Sequence, residues 1–210
     1  MTEPRDNAGG TGTRVVIVGP GEQPSESLLR CRYETLRRPL GFPTGSERLS
    51  DDVESVHAWV ETVTAEPVVI SVGRAHLIAA DSDGGQTDHA GPGATECPGF
   101  PPLARPVVGF PRPAEMRPAF HIRQMGTLPE QRGRGYACRV LEALEERAMM
   151  VWNARTGWLQ ARLPAMSFYQ SNGWTCFGEV YEVTGVGPHR SMWRGFAEAG
   201  PSESTSAVER

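Results

Sequence analysis

The feature that most constrains this chain is a glycine-rich segment between a strand pattern and a helix pattern. Residues 131–137 read Gln-Arg-Gly-Arg-Gly-Tyr-Ala and are called the glycine loop below. The preceding residues 119–128 are typical of a strand, which Pro129 ends. The residues that follow place an apolar stripe on one helical face, formed by Ala137, Val140, Leu141, Leu144 and Ala148. The pattern therefore predicts a strand, a short turn, the glycine loop and a helix.

A glycine loop that opens a helix is suited to binding an anion. The first N–H groups of a helix lack intrahelical partners, and the helix dipole places about half a positive charge there. Arginine side chains in the loop can add charge-assisted contacts. We predict a bound pyrophosphate held by the backbone N–H groups of Arg132, Gly133, Arg134, Gly135, Tyr136 and Ala137.

Two other pyrophosphate sites share this layout. The nucleotide P-loop needs a lysine before Ser or Thr, and the 21 basic residues of this chain are all arginine. The dinucleotide fingerprint needs a third glycine, but Gly133-Arg134-Gly135 is followed by Tyr136, Ala137 and Cys138. The sequence therefore lacks a required residue of each of these two sites. The full heptad, preceded by a strand and Leu-Pro-Glu, is the more specific pattern.

The heptad resembles motif A of the GNAT superfamily of N-acetyltransferases. A later stretch supports the resemblance, because Phe168-Tyr169 followed by Gly173-Trp174 is similar to the family's Phe-Tyr-x-x-x-Gly-aromatic segment. Residues 179–192 are similar to the ElaA-like subgroup. The resemblance covers residues 119–195 well and residues 14–80 loosely. It implies an α/β fold of the GNAT acyl-CoA N-acyltransferase type, with a central mixed sheet flanked by helices.

The resemblance implies acetyl-CoA as co-substrate and direct acetyl transfer to an amine in a ternary complex. The central strand would splay from its neighbour and admit the pantetheine arm, with a bulge expected at Gly126. The cofactor-binding residues on this strand would be Met125, Gly126, Thr127 and Leu128. Tyr169 would protonate the leaving thiolate. His189, placed at a turn between the last two strands, is the preferred candidate for the general base.

Other roles stay open at this stage. Glu179, Glu182 and His121 are alternative bases, and the amine could instead lose its proton through water. Arg123 could bind a carboxylate of the acceptor, although pairing with a nearby glutamate is the favoured interpretation. The acceptor would be an amine on a small molecule or a peptide N-terminus. A non-catalytic acyl-CoA-binding or regulatory module, and a nucleotide-binding regulatory domain, are the alternative functions.

Composition narrows the class of protein. The absence of lysine excludes a lysine Schiff base, and the net charge of −4 does not indicate a nucleic-acid partner. The four cysteines are scattered, which predicts no zinc or other metal site and a reducing compartment. A polar N-terminus and the lack of a long apolar run predict a cytoplasmic protein without membrane contact. A homodimer through an edge strand is possible.

One domain is predicted over residues 13–197, with disordered tails at 1–12 and 198–210. Residues 81–118 hold 14 Gly or Pro in 38 positions and show almost no periodicity. Disorder or a variable insertion is the favoured interpretation of this Gly/Pro segment, and a substrate lid is the alternative.

Overall fold

The computed structural model describes residues 12–84, 91 and 93–196. They form one mixed seven-stranded sheet in the order β1-β2-β3-β4-β5-β7-β6. The strands are β1 (Thr13–Val18), β2 (Val56–Thr62), β3 (Val69–Ile78), β4 (Ala119–Thr127), β5 (Thr156–Arg162), β6 (Thr175–Val183) and β7 (Gly187–Gly195). The helices are α1 (Glu26–Leu36), α2 (Pro113–Met116), α3 (Tyr136–Trp152) and α4 (Met166–Ser171). The predicted α/β class is confirmed.

Helices cover both faces of the first half of the sheet. The apolar stripe of α3 packs on one face, in a core with Val56, Val60 and Phe120. Helix α1 packs on the other face, where Leu28 and Trp59 lie in a second core. Because β2 and β3 are buried on both faces, their side chains are almost continuously buried rather than alternating.

Residues 93–118 of the Gly/Pro segment form turns and a short helix that pack on the sheet, which differs from the expected disorder, while the expectation of a variable insertion stays a prediction. Short 3-10 turns and α2 bring Phe100, Leu103 and Met116 into a third core against Trp158 of β5. The Phe110 ring stacks on the Trp158 ring at 6.0 Å. Widely spaced apolar anchors joined by proline turns leave no regular period in the sequence, although they still bury apolar surface.

The predicted terminal tails lie outside the described residues, apart from Gly12. Among the described helices, none has both the length and the apolar composition needed to cross a membrane.

Candidate functional site

The central strands β4 and β5 pair in parallel for only three residues and then diverge. Their last register pair is His121 with Trp158, although β4 continues to Thr127 and β5 to Arg162. The splayed geometry that the resemblance implied is therefore present. The gap leaves backbone groups of the second half of β4 without a strand partner on one side.

The backbone bulge lies on β4, but not at the residue predicted. The pairing with β3 shifts between Val72 and Arg74, and Gln124 has a φ of 57°. The prediction of a bulge at Gly126 is therefore wrong by about two residues. Gly126 serves another purpose, because a Cβ there would lie 2.3 Å from Oγ1 of Thr35 on α1.

The backbone direction along β4 decides which N–H groups are available to a ligand. The N–H of Leu128 donates to the carbonyl of Ile70 at 3.0 Å, so it faces β3 and is already used. Because N–H groups alternate along a strand, those of Met125 and Thr127 point away from β3, towards the gap. These two backbone donors are suited to bind a pantetheine amide or a thioester carbonyl.

The glycine loop has the geometry of an open anion cradle. Gly133 and Gly135 have φ values of 74° and 79°, a region that residues with a side chain rarely adopt, and a Cβ at either position would meet nothing within 4 Å. Helix α3 begins directly afterwards, and none of the described side chains caps its N-terminus. Its first N–H groups therefore face open space, as a pyrophosphate site requires.

The two loop arginines, Arg132 and Arg134, are exposed and place two positive charges in the loop. Arg132 donates from Nε to the carbonyl of Thr127 at 3.3 Å, which ties the loop to the end of β4. The loop residues named from the sequence thus lie together at one end of the β4–β5 gap.

A cavity of about 150 Å³ lies in the gap between the diverging strands. It is lined by residues from β4, β5, α4, the end of α1, the β6–β7 end of the sheet and the Gly/Pro segment. Met125, Tyr169 and His189 are among these residues, so one cavity brings together the predicted proton donor, the preferred base and part of the predicted thioester site. The Gly/Pro segment contributes Gly93 and Cys97 to the wall.

Tyr169 lies on α4 and is only 8% exposed. Its ring packs against those of Phe168 and Trp174. Burial raises the pKa of the phenol, and the charge of Arg123 opposes that rise. The side chain is therefore protonated at neutral pH, which a proton donor requires.

His189 lies within β7, not at the turn where the sequence placed it. The turn ends before Gly187, and His189 pairs in register with Arg162 and Tyr181. Its Nδ1 lies 2.7 Å from the carbonyl of Gly187 and donates to it, which leaves Nε2 as the acceptor nitrogen. Burial lowers the pKa of His189, while the bond to Gly187 opposes that change, so the ring is neutral near pH 7.

The other candidate bases do not line the cavity. Glu179 and Glu182 are exposed on β6. His121 is fully buried, and its Nε2 lies 2.6 Å from Oε1 of Gln160. Of the four candidates, His189 alone is placed where it can receive a proton from a substrate in the cavity.

Within the described part of the chain Arg123 has no glutamate partner, contrary to the favoured interpretation of the sequence. It donates from Nη1 to Oε1 of Gln160 at 2.9 Å and contacts Sγ of Cys97 at 3.9 Å. The sequence also gave no indication of Arg37, a buried cavity residue just after α1 that donates to Gln124 at 2.8 Å. An arginine beside a helix end carries no pattern that distinguishes it from a surface residue.

Comparisons with known proteins agree with this arrangement. The model of the acetyltransferase (GNAT) family matches residues 107–174, which include β4, the glycine loop, α3, β5 and α4. No curated protein sequence matches the chain.

The fold is shared with solved structures at low sequence identity. Escherichia coli ElaA has a TM-score of 0.58 at 17% identity, covering 87% of this chain and 99% of its own. An acyl-CoA N-acyltransferase from Pseudomonas aeruginosa has 0.57 at 16%, covering 88% of this chain and 100% of its own. Arabidopsis thaliana NAA60 in complex with acetyl-CoA has 0.57 at 13%, covering 87% and 99% respectively.

Proposed function

We propose that this protein transfers the acetyl group of acetyl-CoA to a small amine. The chain has the GNAT acyl-CoA N-acyltransferase fold, and its central segment matches the GNAT acetyltransferase family. The observation that carries this proposal is the meeting of three features at one gap. The open glycine loop lies at the end of β4, β4 and β5 diverge, and the cavity between them contains Tyr169 and His189.

The chain has residues suited to bind both the pyrophosphate end and the thioester end of acetyl-CoA. The N–H groups of residues 132–137 and the N-terminus of α3 would bind the pyrophosphate. The free N–H groups of Met125 and Thr127 would bind the pantetheine and orient the thioester carbonyl. A preorganised donor aimed at a developing oxyanion contributes about 3 kcal/mol to transition-state stabilisation.

Direct transfer then needs two proton movements. The amine nitrogen forms a bond to the acetyl carbon and gives its proton to Nε2 of His189, directly or through one water. The C–S bond breaks, and the hydroxyl of Tyr169 donates its proton to the leaving sulfur. The phenolate of Tyr169 regains a proton when the imidazolium of His189 loses one, so both groups return to their starting states.

Calorimetric titration with acetyl-CoA tests the binding half of the proposal. We expect micromolar binding that Gly135→Glu abolishes, because a carboxylate would occupy the cradle intended for phosphate. Gly21→Glu is the matched control, since Gly21 also has a positive φ and open surroundings. Equal binding by the parent protein and Gly135→Glu would contradict the assignment of the loop.

The catalytic half is tested by following CoA release in the presence of amines. Chromatographic separation of CoA from acetyl-CoA avoids interference from the four cysteines of the chain. We expect acetyl-CoA consumption to depend on an amine and to yield an acetylated product by mass spectrometry. Tight binding of acetyl-CoA without transfer to any amine would instead favour a non-catalytic module.

A further inference from the structure

The cavity that contains Tyr169 and His189 is strongly cationic. Three arginines line it, namely Arg37, Arg123 and Arg162, and none of its lining residues in the described part of the chain is acidic. A cavity that must accept a protonated amine would ordinarily be expected to offer a carboxylate. The charge of the walls therefore indicates that the acceptor carries a negative group as well.

Arg37 differs from the other two arginines that are buried in the described part of the chain, Arg32 and Arg74. Arg32 and Arg74 each form an ion pair with an aspartate, at 2.6 to 3.1 Å. Arg37 instead donates to neutral oxygens, the carbonyl of Ser46 at 3.0 Å and Oε1 of Gln124 at 2.8 Å. Arg123 also has a neutral oxygen partner, Oε1 of Gln160.

Neither arginine forms an ion pair with an acidic side chain among the described residues. Burial and the charges of Arg32 and Arg123 lower the pKa of Arg37 to about 10, so Arg37 stays charged at neutral pH. The charge of Glu47 opposes this lowering of the pKa, but its carboxylate accepts the N–H of Gly45 at 2.8 Å and no hydrogen bond from Arg37. Burying two like charges without a carboxylate is costly unless a ligand supplies one.

Each guanidinium group keeps nitrogen atoms that form no hydrogen bond with the described residues. Arg123 bonds to its neighbours through Nη1, which leaves its Nε and Nη2. Arg37 uses Nε and Nη2, which leaves its Nη1. Each arginine can therefore still donate a hydrogen bond to a molecule in the cavity.

We propose that Arg37 and Arg123 bind a carboxylate of the acceptor, so that the substrate is a small amine that carries a carboxylate, such as a free amino acid. The volume of about 150 Å³ is below the 300 to 1,000 Å³ typical of drug-sized ligand sites, which agrees with a small acceptor. This inference rests on the proposed acetyl transfer and specifies its substrate class.

The first arm of the test measures binding and needs no turnover. N-acetyl amino acids, the expected products, are added to the protein in the presence of CoA, and the melting temperature is recorded. We expect N-acetyl amino acids to raise it and the corresponding N-acetyl amino acid amides, which lack the carboxylate, to leave it unchanged. Stabilisation by acids and amides alike would overturn the inference.

The second arm measures kcat/KM for free amino acids, including β- and γ-amino acids, and for their carboxamides. The amides have the more easily deprotonated amine, so a preference for the acids cannot arise from amine basicity. We expect Arg37→Gln and Arg123→Gln each to lower kcat/KM for the acids by about 10- to 100-fold, the effect of one lost charge-assisted hydrogen bond. Arg38→Gln is the matched control, because this exposed arginine pairs with Glu34 outside the cavity.

Circular dichroism and acetyl-CoA titration establish that each variant is folded and binds its co-substrate, with Arg37→Lys as a second variant that keeps the charge. Equal losses for acids and amides, or a preference of the parent protein for amides or polyamines, would overturn the inference while the proposed transferase function stands. Failure to transfer acetyl to any amine, despite acetyl-CoA binding, would remove both.

Discussion

A buried ion network holds the first helix and the loop after it against the sheet, and its central carboxylate belongs to Asp52. The carboxylate accepts hydrogen bonds from Nη1 of Arg32 at 2.9 and 3.0 Å and from Nη1 of Arg74 at 3.1 Å. It also accepts the backbone N–H of Leu49 at 2.9 Å. All three charged side chains are at most 4% exposed. Asp52→Asn therefore removes the negative charge at the centre of this network.

The expected magnitude follows from what each arginine retains. Arg74 keeps both oxygens of Asp51, at 2.6 and 2.8 Å. Arg32 keeps only neutral acceptors, the carbonyl of Glu47 and Nδ1 of His57. Asp52→Asn therefore leaves one buried guanidinium without a carboxylate, which costs about 3 to 5 kcal/mol in the free energy of unfolding. A domain of this size would lose roughly 6 to 20 °C in melting temperature.

Chemical denaturation followed by tryptophan fluorescence measures this loss. Asp51→Asn is the matched control, because Asp51 is 21% exposed and its ion-pair partner Arg74 keeps Asp52, so we expect a smaller loss. If Asp52→Asn cost less than about 1 kcal/mol, or no more than Asp51→Asn, the reasoning that the network depends on Asp52 would be refuted.

Four further predictions concern single residues. Tyr169→Phe should lower kcat by about 10²- to 10⁴-fold, with acetyl-CoA affinity unchanged by calorimetry; an unchanged kcat would remove its role as the proton donor. The pKa of His189 is lowered, so the acidic limb of the kcat/KM profile should lie below pH 6.5 and should disappear in His189→Gln. A limb that persists in the variant would assign it to another group. The pKa of His57 is lowered by burial from 6.5 to about 4 in the folded state. As the pH falls, the unfolded chain therefore takes up this proton before the folded protein does, so the free energy of unfolding should decrease between pH 6.5 and 4. Chemical denaturation at several pH values should show a shallower decrease for His57→Gln. Gly126→Ala should cost about 1 to 3 kcal/mol, because its Cβ would lie 2.3 Å from Oγ1 of Thr35, and an unchanged melting temperature would contradict that packing.

Local signals in the sequence were enough for the elements and for the glycine loop. The strand predicted over residues 119–128 agrees with β4 to within one residue. The helix predicted after the glycine loop begins at Tyr136, within the last two residues of the loop. These features depend on neighbouring residues, namely on apolar period, on glycine at positive φ and on proline as a terminator, so they can be read along the chain.

The partners of the charged residues, in contrast, depended on tertiary structure. Nothing local distinguishes Arg123, which faces the cavity with a neutral partner, from Arg74, which is paired with two aspartates. Arg37 and Gln124 are 87 positions apart and meet only because α1 packs beside the bulge of β4. The aromatic residues of the Gly/Pro segment likewise contact Trp158 only because the tertiary fold brings the segment against β5.

The sequence by itself thus determined where a pyrophosphate could bind, because an anion cradle is built from consecutive backbone groups. Only the tertiary structure decided which side chains line the cavity, because its wall is assembled from α1, β4, β5, β7 and the Gly/Pro segment. The partners of its charged residues depend on long-range contacts.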